Sequence, residues 1–146
     1  MSHKFPLELH TCSQFMLLPL SIYADTNVFN AIFCFLLMKD FLYKISYLIA
    51  VHHLLGILGC LYYSSTIEDT YTLGVAEFGS GMYNTYILAK QYNTNVEIAY
   101  ALYAITMTLS NLHLFLYIKN HREKRMYIKA PFYILVITRQ YYVFIE

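Results

Sequence analysis

Charge is what this sequence has least of. Only 13% of its 146 residues are Asp, Glu, Lys or Arg, about half the share usual in soluble domains. With a net charge of +1, nothing in the charge balance points to nucleic acid, and no nucleic-acid partner is expected. Cysteine is scarce too. Cys12, Cys34 and Cys60 are odd in number, widely separated and without metal-ligand spacing, so they read as packing residues, and no metal site or cofactor is expected. There is no glycine-rich phosphate loop, no dinucleotide fingerprint and no serine nucleophile elbow, which argues against soluble-enzyme mechanisms. Internal repeats and low-complexity tracts are missing as well, and the connections between apolar runs are too short to hold a second domain.

What the chain has in abundance is apolar and aromatic residues. They make up 58% of it, with 16 Tyr and 10 Phe, and the mean hydropathy is +0.44. That composition predicts an all-α, polytopic integral membrane bundle. A spanning helix takes about 20 mainly apolar residues, and segments near that length run over 15–38, 46–65, 71–90, 96–118 and 127–145. The first is interrupted by Pro19, Asp25, Asn27 and Asn30, and the last spans only if Lys129 and Arg139 snorkel or face protein. Four to five transmembrane helices are therefore expected, in one domain over 15–146 behind an N-terminal tail over 1–14. The run "FMLLPLSIYA" is short like a signal peptide, but Ile22 is not small and Lys4 is the only basic residue ahead of it, so cleavage is not expected. The loop "KNHREKRMYIK" is basic, and if all five segments span, the positive-inside rule places it in the cytosol with the N-terminus and the loop holding Glu68 and Asp69.

Polar residues inside such segments are costly and mark functional positions by default. In "YLIAVHHLLGILGC", His52, Gly56, Gly59 and Tyr63 fall on one helical face, with the glycines letting a neighbour approach, while His53 points about 100° away. Adjacent histidines do not chelate one metal well. On the third segment Gly74, Glu77, Gly81 and Asn84 recur at helical spacing with Ser80 beside them, so an acid, a hydroxyl and an amide form one stripe. Glu77 in contact with a histidine would share a proton with it, which suits general acid and base chemistry. The competing reading is an interhelical hydrogen-bond network without chemistry. The short "TIEDT" connection predicts that the second and third segments are antiparallel neighbours, with His52 and Glu77 in hydrogen-bond reach. His113 shares a face with Thr106, Ser110 and Tyr117, and Asp25 sits near mid-segment, where it would need a partner such as a histidine.

Taken in order, "SIYAD", "YLIAVHHLL" and "EFGSGMYN" resemble the TLC-domain family, which includes ceramide synthases and the translocating-chain-associating membrane protein. The similarity covers about residues 20–118. It implies a helical bundle of internal membranes such as the endoplasmic reticulum, enclosing a cavity open to lipid. By the resemblance, His52 and His53 match the family's histidine pair, Asp25 its preceding acid, and Glu77, Ser80 and Asn84 the third-helix pattern. Where ceramide synthases carry a His-Asp pair with a further Asp one turn on, this chain has Ala76, Glu77 and Ser80. Two functions follow. One is lipid binding or control of membrane lipid composition, with Asp25, Ser80, Asn84 and His113 as contacts. The other is acyl transfer from acyl-CoA with His52, His53 and Glu77 as the catalytic group; a channel or assembly subunit is the remaining alternative. The chain is short for the family, so a second copy in a homo-oligomer is one way to close the cavity.

Overall fold

The first apolar segment breaks at Asp25. A computed structural model describes residues 6–43 and 45–146, and the order of helices among them is α1 (Leu7–Tyr23), α2 (Thr26–Asp40), α3 (Tyr47–Tyr63), α4 (Ile67–Tyr92), α5 (Val96–Asn120) and α6 (Met126–Ile145). No strand occurs among the described residues, so the chain is all-α. Lys4 lies outside the described residues.

The segment expected as one span over 15–38 is two helices, because Ala24 is extended and the Asp25 side chain accepts the backbone N–H of Asn27. An N-cap aspartate starts a helix by satisfying one of its orphan donors. The stretch expected as a tail over 1–14 is also corrected: from Leu7 onward it is the first half of α1, with Thr11 and Gln14 buried. Gln14 faces the polar stripe of α4, where it meets Glu77 and Asn84, and the Thr11 hydroxyl donates to the carbonyl of Leu7.

Later boundaries are set locally. Ser46 caps α3 by accepting from the N–H of Ile49, and Thr66 with Asp69 forms a reciprocal capping box at the start of α4. Between α4 and α5, Asn93 and Asn95 take positive φ of 51° and 46°, a conformation that Asn tolerates better than most residues.

The core has two apolar centres. Leu17, Phe29, Phe33, Leu37 and Cys60 join α1, α2 and α3; Tyr86, Tyr103, Met107 and Val143 join α4, α5 and α6. The principal packings are α1 along α4, α4 along α5, α5 along α6 and α2 along α3, whereas α3 touches α4 only lightly. Polar groups are buried beside these apolar centres, and large apolar side chains lie on the surface. Gln14, Asp40, Glu77, Asn111 and Arg139 are buried, while Leu102, Ile105, Leu109, Leu112 and Leu116 lie exposed along α5. Among the described residues, α5 is the one helix long and apolar enough to cross a membrane; α3 is apolar but shorter.

Candidate functional site

Gly56 and Gly59 sit on the face of α3 that carries His52 and Tyr63, and all four line a cavity of about 130 Å³ between α3 and the trio α4, α5 and α6. A β-carbon at Gly59 would come within 3.2 Å of the Phe132 ring, and one at Gly56 within 2.9 Å of Leu37. The missing side chains thus let α2 and α6 close around α3 while space remains in front of it. Leu55, Leu73, Leu114, Phe132, Leu135 and Val136 make the middle of the wall apolar. Polar groups gather at the two ends.

At the inner end are His52, Glu77 and Arg139. Arg139 is 9% exposed; its Nη2 donates to the carbonyl of Ala76 at 2.9 Å and lies 3.1 Å from the Met107 sulfur. Its Nε is buried without a hydrogen-bond partner. Gly79 makes this position available, since a β-carbon there would meet the guanidinium at 3.1 Å and the Ser110 hydroxyl at 2.9 Å. Glu77 does not reach His52. Its Oε2 accepts from Gln14 Nε2 at 3.0 Å, and Gln14 Oε1 in turn accepts from Asn84 Nδ2 at 2.7 Å. The expected stripe on α4 is present, but it faces α1: Gly74 abuts Leu17 and Ser21, and Gly81 abuts Phe15. Two small residues on one face favour the closest helix-to-helix approach, and α1 takes it, leaving α3 across the cavity. His52 and Glu77 therefore both line the cavity, from α3 and from α4, and are not a hydrogen-bonded pair.

The remaining expected residues are dispersed. His53 is buried, 7% exposed, and its Nε2 lies 3.6 Å from Asp40 Oδ2; Asp40 also takes Lys39 at 2.7 Å. His113 Nε2 and the Thr72 hydroxyl are 3.1 Å apart, away from the inner end. Ser80 returns its hydroxyl to the carbonyl of Ala76 within its own helix. Asp25 is an exposed helix cap, and the structure does not bring it to either histidine. Among the described residues no group of three or more His, Cys, Asp or Glu side chains is placed to hold a metal ion.

At the other end, beside the α3–α4 and α5–α6 connections, the wall includes Asp69, Tyr117, His121 and Lys129. Asp69 accepts from the Tyr117 hydroxyl and from the backbone N–H groups of Ser65 and Thr66 at 2.8 and 2.9 Å. Burial alone would raise its carboxyl, but these hydrogen bonds outweigh it and hold the group below the usual carboxylate range. His121 is shifted down by burial, against the pull of the Asp69 charge. Sequence reasoning missed Gln14 and the mouth. The signal for Gln14 was the helical spacing of Thr11, Gln14 and Ser21 against the glycine stripe of α4; the mouth residues lie in three separate segments and carry no joint signal.

Compared with models of known protein families, with curated proteins and with solved structures, the chain finds no match.

Proposed function

We propose that the chain is a multi-pass membrane protein that binds the hydrocarbon chain of a lipid in the cavity between α3 and α6. The observation that carries the reading is the exposed apolar surface over a partly polar interior: a bundle with Glu77, Arg139 and Asn111 inside and the leucines of α5 outside is stable where its surroundings are apolar. Hydrocarbon offers no partners for polar groups, so they turn inward and satisfy one another. The cavity has the matching character, an apolar middle between two polar ends. Binding is favoured over acyl transfer because a histidine base needs its orienting acid within hydrogen-bond reach, and Glu77 is engaged by Gln14. The resemblance of "YLIAVHHLL" and "EFGSGMYN" to TLC-domain proteins supports the same reading and an internal membrane such as the endoplasmic reticulum as its place.

Native mass spectrometry of the purified protein, released from detergent or nanodiscs, tests this. The wild type is expected to retain a lipid adduct. Leu135→Trp, which fills the apolar middle, is expected to lose it while staying in the membrane fraction after alkaline extraction. A wild-type protein that is extracted by alkali, or that carries no lipid, contradicts the proposal.

A further inference from the structure

The first turn of a helix presents unpaired N–H groups and partial positive charge. At the start of α6 the N-cap residue Arg125 makes no side-chain capping hydrogen bond, and its carbonyl accepts the N–H groups of Ile128 and Lys129 at 3.1 and 3.3 Å. One turn in stands Lys129, 8% exposed, whose ammonium donates to the carbonyls of Lys119 at 3.2 Å and His121 at 3.4 Å. Among the described residues no carboxylate pairs with it.

Beside it His121 accepts the N–H of Glu123 at Nδ1, 3.2 Å, which places the ring proton of the neutral imidazole on Nε2. That atom is buried and has no hydrogen-bond partner, in a side chain 10% exposed. Asp69 Oδ1 is the nearby acid, at 3.9 Å, too far for a hydrogen bond, and its oxygens are already held by Tyr117, Ser65 and Thr66. Glu123, the other acid at this mouth, is clamped by Arg125 through both oxygens at 2.9 and 2.7 Å. At one opening, then, the Lys129 ammonium reaches only neutral carbonyls and the buried His121 Nε2 reaches no acceptor, so neither has an anionic partner.

We infer that the mouth is an oxyanion site that holds the carboxylate or phosphate head of a single-chain amphiphile, its tail lying along Leu73, Phe132 and Leu135. This rests on the proposed chain-binding role of the cavity and adds the charge of the ligand. Lys129 and Arg139 both line the cavity, and ten residues of α6 separate them by about 15 Å. A head at Lys129 therefore leaves a length of apolar wall for the tail before the inner polar end.

The experiment uses the full chain in neutral phosphatidylcholine nanodiscs, with displacement of a fluorescent fatty acid as the readout. Palmitate and hexadecyl phosphate are expected to compete at least tenfold more tightly than hexadecanol. Lys129→Gln is expected to abolish that preference, and Lys129→Arg to keep it. Inorganic phosphate alone is expected not to compete. Should Lys129→Gln fail to fold, His121→Gln serves in its place with the same expectation in weaker form. Equal binding of hexadecanol and palmitate by the wild type overturns the anion site while leaving chain binding intact. Inorganic phosphate competing as well as hexadecyl phosphate overturns the amphiphile in favour of a free anion, and binding of no probe at all removes the chain-binding role itself.

Discussion

Gln14 holds two polar residues of α4 at once, accepting from Asn84 and donating to Glu77. Gln14→Leu is expected to leave the buried Glu77 carboxylate without its donor and to cost about 1–3 kcal/mol. Thermal unfolding in detergent reads this, and recovery in the double variant with Glu77→Gln separates lost pairing from lost packing. At the mouth, Asp69 and His121 lie outside the apolar segments over 71–90 and 96–118, and both favour their deprotonated forms in the fold. In the unfolded chain each takes up its proton at a higher pH, near 3.8 for Asp69 and 6.5 for His121. Stability is therefore expected to fall as pH drops below about 6.5, where the unfolded histidine protonates first, and again below about 3.8 as the carboxylate contribution is lost. A pH series of melting temperatures checks it: His121→Gln should reduce the upper step and leave the lower one, and an upper step unchanged by the substitution contradicts the assignment.

Helix approach is where glycines matter most, and they are not equivalent. At Gly74 a β-carbon would lie 2.7 Å from the Ser21 hydroxyl and 3.1 Å from the backbone of Leu17 and Leu18, so α1 itself must move. At Gly56 the near contact is Leu37 Cδ1, the end of a flexible side chain. Gly74→Ala is expected to cost about 1–3 kcal/mol by overpacking and Gly56→Ala markedly less, measured by denaturant or thermal unfolding; the reverse order would mean that α1 and α4 do not meet as described. The segments read over 46–65, 71–90 and 96–118 correspond to α3, α4 and α5 because each carries a long apolar run, although α4 begins at Ile67, inside the stretch read as a connection. The α1–α2 break was not legible, since Asp25 in an apolar run carries no sign of whether it is a buried acid or a cap. The polar stripe on α4 was legible as a stripe, but its partner was not. The short connection made α3 the expected neighbour, whereas the choice fell to α1, whose Gln14 and Ser21 complement the stripe across more than fifty residues of chain.

At the scale of the whole molecule, the bundle carries an apolar surface and encloses a cavity with polar ends. Lys129 and Arg139, which looked like obstacles to a last span, both face protein and stand ten residues apart along its wall. The apolar flanks of α5 and α6, with Leu109, Leu112, Ile134 and Ile137 exposed, are the surface that the proposal assigns to lipid tails outside the protein. The cavity wall of Leu55, Leu73 and Leu135 is the surface it assigns to the tail inside. Mapping the adducts of a photoreactive fatty acid, by mass spectrometry of the membrane-embedded protein, distinguishes the two directly. Adducts on Leu55, Leu73 or Leu135 that saturate at low probe concentration and are competed by palmitate are expected, above a non-saturating background on Leu109 and Ile137. Labelling confined to Leu109, Ile137 and the other outward residues, unaffected by competitor, would contradict a chain held in the cavity.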